Sequence, residues 1–298
     1  MSRHITTLAT NYLLLASFAA YQLAHAQSIT VKVTDPRPVG EAVRMLEAIY
    51  GVPITYEDPI AVHESQLEDV TEKVRRDPDP THDSDPSHRV IVQKEGTLSF
   101  TYKLPSSLPS QGGDPDQSQA ETEAAVADAL SSILSGYAAS GGPVTFIVTK
   151  EDGVFHVVPT NFLNKDRKLQ AMTPILDTRI TIIPKQRTRQ SLLDEICRSL
   201  AQASGIEVDC IFPFGVRTMG IQTTVSGSEV PARALLSQLL AELAAPVSED
   251  EVFQLPGGEK ETQHRILRES TGPLSWRLLY GFGSGYALNV HQVTLGGR

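Results

Sequence analysis

Three histidines and a run of aspartates occupy one proline-rich stretch, and these are residue types that bind divalent cations. His63, His82 and His88 lie within residues 61–95, where aspartate and proline alternate over 77–86. Imidazole and carboxylate are suitable ligands, but a metal site needs ligands that a fold holds at defined spacing. The spacing here is irregular, and the prolines keep the chain extended. We interpret the stretch as a solvated loop, with metal binding as the open alternative.

Carboxylates and histidines elsewhere could form an acid–base or nucleophilic site. Glu57, Asp58 and Asp152 lie at predicted strand ends and turns, where acidic side chains commonly bond the local backbone. His156 and His291 lie in predicted strands, with no serine, cysteine or acid beside them in a recognised catalytic order. We therefore predict local structural roles for the acids and solvent-facing positions for the histidines.

Residues 281–285, Gly-Phe-Gly-Ser-Gly, have the composition of a catalytic glycine-rich loop. They lack the glycine two residues before the serine that a nucleophile elbow needs, and also the helix that follows a dinucleotide-binding loop. They lie between two apolar runs, which predicts a hairpin turn. Trp276, the only tryptophan, is predicted to anchor the core rather than to bind a ligand. The sequence thus predicts no catalytic, cofactor-binding or metal-ligating residue, and no cofactor.

The two cysteines, Cys197 and Cys210, are close in sequence. Cys197 lies on the apolar stripe of a predicted helix, and Cys210 lies on the inner face of the strand that follows. In an oxidising compartment such a pair favours a disulfide bond. Two buried thiols that never meet are the alternative.

The N-terminal 26 residues have the order of a secretory signal peptide. Arg3 precedes an apolar run at 13–20, and small residues occupy the −3 and −1 positions at Ala24 and Ala26. We predict cleavage between Ala26 and Gln27, and a periplasmic or secreted location.

The charge balance of the chain is acidic. There are 35 acidic and 26 basic residues, for a net charge of −9, and no basic cluster. This composition argues against nucleic acid or an anionic membrane as the main partner. No segment after the signal sequence is long and apolar enough to span a bilayer.

Hydrophobic periodicity indicates the same order of elements, β-α-β-β-α-β-β, twice along the chain. This order predicts an α+β fold. We expect each copy to be a small mixed sheet with two helices on one face. The first copy is predicted at 29–33, 38–50, 52–56, 98–102, 121–137, 144–149 and 154–158. The second copy is predicted at 179–183, 189–203, 206–212, 221–225, a helix opening at Pro231, 274–280 and 286–290.

The repeat divides the mature chain into two predicted domains, 27–160 and 179–298, joined by a linker at 161–178. Polar, proline-rich or charged insertions interrupt them, and we interpret these as mobile loops. The insertions lie at 61–95, 105–119 and 245–271.

Residues 35–46 are predicted to form a strand-to-helix transition, and 51–59 a glycine stop and the next strand. Residues 230–240 are predicted to form the second helix of their copy, and 274–280 the first strand of its closing hairpin. These four segments resemble the corresponding parts of the secretin and TonB short N-terminal domain. The resemblance implies a periplasmic protein-interaction module in two tandem copies. It implies no channel role here, because no channel region follows the second copy.

These observations favour a non-catalytic periplasmic adaptor that binds another envelope protein through a sheet edge or a helix groove. One alternative is a protein that binds glycan or a small molecule in a cleft between the copies. A second alternative is a hydrolase whose residues converge only in three dimensions.

Overall fold

The computed structural model describes residues 28–59, 67–71, 91–104, 115–164, 166, 168–211, 220–244, 273–281 and 285–293. The predicted cleavage site at Ala26 and Gln27 lies outside these residues, as do His63, His82 and His88. Among the helices in the described ranges, none has the length and apolar content needed to cross a membrane.

The fold is mixed α+β, as predicted, and the described residues contain four helices. The first half of the molecule, residues 28–163, contains these elements in order. They are β1 (Ser28–Asp35), α1 (Pro38–Tyr50), β2 (Ile54–Glu57), β3 (Leu67–Asp69), β4 (Ile91–Gln93), β5 (Gly96–Lys103), α2 (Pro115–Ala139), β6 (Val144–Glu151) and β7 (Val154–Leu163).

A short connection follows, and residues 179–293 form the second half. The connection contains β8 (Leu169–Ala171) and a 3-10 turn (Ile175–Asp177). The second half contains β9 (Arg179–Ile182), β10 (Arg187–Thr188), α3 (Arg189–Ser204), β11 (Val208–Ile211), β12 (Gln222–Thr223), β13 (Gly227–Pro231), α4 (Ala232–Ala244), β14 (Leu274–Gly281) and β15 (Gly285–Gln292).

Helices α1 and α3 end in the same way. Gly51 and Gly205 adopt left-handed φ values of 66° and 69°, which cost little without a Cβ atom. Their N–H groups donate to the carbonyls of Glu47 and Ala201. Each helix therefore stops at its glycine, and the chain turns into the next strand.

The main strands of the two halves pair in the same pattern. In the first half β1 pairs with β5, and in the second β9 pairs with β13, both antiparallel. Strand β2 runs parallel to β7, and β7 antiparallel to β6. In the second half β11 runs parallel to β15, and β15 antiparallel to β14.

The helix pair of each half contacts strands of two separate sheets, whereas the prediction had a single sheet for each copy. The first core contains Val33 of β1 and Leu98 of β5 together with Ile54 of β2 and Val157 of β7. A helical stripe cannot reveal from sequence how many sheets it contacts.

The two halves share one sheet, whereas the sequence predicted a separate sheet for each copy. Its strand order is β11-β15-β14-β2-β7-β6, with β8 paired to the end of β7. At the join, β14 runs parallel to β2, with Arg277 opposite Tyr56 and Leu278 opposite Glu57. Asp58 N–H also donates to the carbonyl of Leu278 at 2.8 Å. We call this β2–β14 contact the junction.

The helices of the two halves cover opposite faces of the continuous sheet. Residues paired across neighbouring strands point to the same face, and successive residues alternate. Tyr56 packs in the first core, whereas Leu278, which lies opposite the next residue, packs in the second. Both faces of the junction are therefore buried.

Two predicted boundaries are wrong. The strand predicted at 221–225 is represented only by β12, and the strand that pairs with β9 is β13, at Gly227–Pro231. Strand β13 carries little apolar alternation, so its pattern gave no strand signal. The insertion at 61–95, predicted to be irregular, has the antiparallel pair β3–β4 at its ends.

Cys197 of α3 and Cys210 of β11 lie at disulfide distance, with their Sγ atoms 2.03 Å apart. The bond ties the last strand of the sheet to the helix that packs over it.

We expect replacement of both Cys197 and Cys210 with serine to lower the free energy of unfolding by about 3 kcal/mol. A bond across 13 residues limits the freedom of the unfolded chain by about that amount. Urea unfolding of the oxidised protein and the double variant measures the difference. Added reductant should destabilise only the parent protein, and equal sensitivity of both would contradict the prediction.

Candidate functional site

Asp58, predicted to lie at a strand end, is a buried carboxylate at the junction. Arg37 Nε lies 2.5 Å from Asp58 Oδ2, and Tyr280 N–H donates to the same oxygen at 2.9 Å. Arg37 Nη2 also donates to the Tyr280 carbonyl at 2.7 Å. Burial raises the pKa of Asp58, and Arg37 opposes this rise. The start of α1 is thus fastened to β14.

Glu57 is buried on the opposite face. Arg233, at the start of α4, approaches it with Nη1 2.7 Å from Oε1, and Arg233 Nη2 lies 3.0 Å from Asp177 Oδ1. Burial raises the pKa of Glu57 to about 7, although the Arg233 guanidinium acts in the other direction. This ion pair connects β2 of the first half to α4 of the second.

A third carboxylate, Glu47 of α1, connects the halves on the first-core face. Arg277 Nη2 lies 2.7 Å from Glu47 Oε2, and His291 Nε2 lies 3.0 Å from the same atom. Ile54 N–H donates to Glu47 Oε1 at 3.1 Å. Burial alone would raise the pKa of Glu47, but His291, Ser275 and Arg277 together lower it.

The prediction that His156 and His291 face solvent is wrong. His156 is fully buried, with Nδ1 2.7 Å from Thr55 Oγ1 and its ring centroid 5.4 Å from that of Trp276. Burial, and secondarily Arg233, lowers the pKa of His156 to about 4. His291 is partly buried and bonded to Glu47. Strand alternation could not reveal either environment, because the second half covers β7 and the first half supplies Glu47.

Three further sequence candidates within the described ranges lie where their patterns placed them. Trp276 is completely buried in the second core, which confirms the predicted anchor. Asp152 is exposed in the turn between β6 and β7, with φ at 48°. Gly281 and Gly285 are paired ends of β14 and β15, so the glycine-rich segment connects two antiparallel strands.

Sequence reasoning missed the partners of these groups: Arg37, Glu47, Arg233 and Arg277. One signal was present. Arg277 interrupts the apolar run of a predicted strand, and Glu47 lies beside the apolar stripe of α1. A charged residue within a buried pattern indicates a buried partner, but the sequence does not say which one.

The buried charges at the junction form ion pairs that connect the two halves. A cavity of about 20 Å³, lined in part by Arg37, Tyr56 and Asp58, has room for one or two water molecules. Within the described ranges, no three His, Cys, Asp or Glu side chains are grouped as metal ligands. The geometry supports a structural connection between the halves.

We expect Glu57 and His156 to give stability opposite dependences on pH. The folded pKa of Glu57, about 7, exceeds the ordinary 4.5, so its contribution is present below pH 4.5 and lost as pH rises through 7. The folded pKa of His156, about 4, lies below the ordinary 6.5, so its contribution is present above pH 6.5 and lost as pH falls through 4.

Urea unfolding of the parent protein, Glu57→Gln and His156→Gln across this pH range tests the two signs. Relative to the parent, Glu57→Gln should gain stability as pH rises, and His156→Gln should lose it, each by on the order of 1–3 kcal/mol. A difference from the parent that does not change with pH would contradict the assignment for that residue.

A different kind of site lies at the two ends of the sheet. Among the described residues, β6 has a ladder partner only in β7, and β11 only in β15. Each end strand carries an exposed aliphatic side chain: Ile147 on β6 is 44% exposed, and Ile211 on β11 is 49% exposed. We call these strands the β6 edge and the β11 edge.

Such edges present backbone N–H and C=O groups that a further strand can pair with, and exposed apolar residues add to that attraction. Lys150 gives partial protection at one end of β6, where its Nζ lies 2.5 Å from Glu123 Oε2. The middle of β6 carries no charged side chain. Among the described residues, the two edges are therefore places where a further strand can pair.

Comparison with known proteins yields no match: no family model, curated protein or solved structure matches the chain. The likeness to the secretin and TonB short N-terminal domain stays a prediction from sequence.

Proposed function

We propose that this chain is an exported, non-catalytic adaptor of the cell envelope. It binds another protein when a strand of that protein pairs with an end strand of this chain's sheet. The observation that carries the proposal is the pair of end strands, β6 and β11, each with an exposed isoleucine. Main-chain pairing along such an edge supplies affinity, and the side chains that flank it supply specificity.

The buried charges support a binding role over a catalytic one. Glu47, Glu57 and Asp58 each contact an arginine within 2.7 Å. A general acid or base must reach a substrate proton, directly or through one water molecule. These carboxylates instead connect the two halves through ion pairs. The positions of the two end strands, one in each half, are thereby fixed relative to each other.

Export is supported by the signal-peptide pattern and by the cysteine pair. A disulfide persists in oxidising compartments and is rare in the cytosol. The proposed location is the periplasm or the cell exterior, and the proposed partner is another envelope protein.

Affinity capture from an envelope fraction tests the proposal. The parent chain should recover a specific partner, and Ile147→Lys or Ile211→Lys should reduce recovery about tenfold or more, because an edge lysine opposes strand addition. Ile183→Lys is a matched control, since Ile183 is 64% exposed but lies outside both end strands.

Recovery of no partner by the parent chain would count against the adaptor role. Equal recovery by the parent and both edge variants would show that binding uses another surface.

A further inference from the structure

We propose that the two edges bind each other between molecules: β11 of one chain pairs in parallel with β6 of a second copy, in the register of the internal junction. This inference rests on the edge binding proposed above and names the partner as another copy of this chain. Its basis is that the molecule already contains one contact of this type, between β14 and β2.

The strand equivalences follow from the hydrogen bonds. Phe155 N–H donates to the Pro53 carbonyl, and Tyr286 N–H donates to the Glu207 carbonyl, so these pairs are equivalent. Counting along the ladders from there makes β2 equivalent to β11 and β14 equivalent to β6. The strands that meet at the junction are therefore the counterparts of the two end strands.

The register carries over residue by residue. Arg277 pairs with Asn289, three residues after Tyr286, and Ile147 pairs with Val158, three residues after Phe155. Arg277 is thus equivalent to Ile147, and Leu278 to Val148.

The same counting on the other strand makes Tyr56 equivalent to Cys210, and Glu57 equivalent to Ile211. The internal pairs, Arg277 with Tyr56 and Leu278 with Glu57, then predict two intermolecular pairs. Ile147 lies opposite Cys210, and Val148 lies opposite Ile211.

Both exposed isoleucines lie at the centre of this register. In the isolated chain they leave 44% and 49% of their surfaces open to solvent. Parallel pairing with a second copy would place the two isoleucines in consecutive residue pairs of the ladder. Each would then be covered by the neighbouring molecule.

The surrounding chemistry is also matched. At the junction, the Arg277 side chain contacts the Glu47 carboxylate on α1. The backbone carbonyl of Glu47 accepts a hydrogen bond from the N–H of Gly51, the glycine that ends the helix. Ala201 occupies the same place on α3, and it packs against the second core. At the outer edges, an isoleucine and an alanine occupy the positions of this Arg–Glu ion pair. An apolar contact between the two side chains would there replace the charged one.

Such a contact is heterologous, because it uses two different edges. Each molecule then offers one free edge of each kind to the next, and association continues from chain to chain instead of stopping at a symmetric dimer.

Sedimentation of the full chain at increasing concentration is the first test. The average mass should rise through dimer and beyond, and Ile147→Lys or Ile211→Lys should shift the rise to about tenfold higher concentration or more. Ile183→Lys should behave as the parent does. A monomer at every concentration, or a mass that stops at dimer, would overturn the inference.

Disulfide trapping tests the register. Val148→Cys and Ile211→Cys chains, mixed and oxidised, should form a mixed dimer, because opposite residues of paired strands are within disulfide reach. Val148→Cys mixed with Asp209→Cys is the off-register control, since a two-residue shift of about 6.6 Å places the Cα atoms too far apart. Trapping in the control, or only in chains of one kind, would overturn the proposed pairing.

Charge replacement tests the equivalence with the junction. Ile147→Arg and Ala201→Glu should each weaken association, and the double variant should restore it by rebuilding the Arg277–Glu47 pair between molecules. Failure of the double variant to exceed either single variant, with all three folded by circular dichroism, would reject the equivalence.

The two proposals can fail separately. Capture of an envelope protein that depends on Ile147 or Ile211, with a strictly monomeric chain, would leave the adaptor role standing and reject self-association. Self-association without capture of any other protein would support the pairing and reject the adaptor role.

Discussion

Replacing Arg233 with alanine is expected to lower the free energy of unfolding by about 3–5 kcal/mol, since removal of one partner from a buried ion pair leaves the other uncompensated. Arg233 and Glu57 are both buried, and they lie 2.7 Å apart at Nη1 and Oε1. The same substitution removes the contact with Asp177. Urea unfolding of parent and variant at neutral pH measures the loss.

Arg179→Ala is a matched control, because Arg179 is exposed and its Nη1 donates to a backbone carbonyl, that of Glu229, instead of forming a buried ion pair. It should change stability by less than about 1 kcal/mol. Similar losses in the two variants would show that Glu57 does not depend on Arg233. The double variant Glu57→Gln, Arg233→Met should recover part of the loss, because it removes both charges together.

Replacing Trp276 with alanine is expected to cost about 3–5 kcal/mol by leaving a cavity in a packed interior. Trp276 has no exposed surface, belongs to the second core and also contacts His156 of the first half. The cavity would therefore loosen both halves. Thermal unfolding followed by circular dichroism measures the effect, since the variant has no tryptophan fluorescence.

Trp276→Phe retains an aromatic ring and should lose clearly less stability than Trp276→Ala. A biphasic transition in Trp276→Ala, with one phase unchanged from the parent, would show that the halves unfold independently and that Trp276 does not couple them.

Features set by neighbouring residues could be predicted from the sequence. Helix α1 has the predicted bounds, because Pro38 suits its first turn and Gly51 its end. The two hairpins and the cysteine pair also follow from local patterns. Helix α2 starts at Pro115, earlier than the predicted 121, because its first turns carry polar residues without an apolar stripe.

The junction could not be predicted, because its two strands, β2 and β14, lie more than 200 positions apart in the sequence. Glu47 meets Arg277 across 230 positions and His291 across 244. The local pattern predicted Glu57 and Asp58 to be polar strand ends, whereas in the structure they are buried where β2 pairs with β14 and where Arg233 and Arg37 contact them. The identity of the end strands could not be predicted for a related reason. Ile147 and Ile211 lie in ordinary strand patterns, and their exposure depends on which strands end the sheet.

The disulfide between Cys197 and Cys210 acts on one of those ends. Among the described residues, strand β11 pairs only with β15, and the covalent bond to α3 adds a second restraint on its position. A chain with reduced cysteines would present a looser, less well-ordered template to an incoming strand. On the proposed export route, we therefore expect the proposed assembly through β11 to require prior oxidation of Cys197 and Cys210.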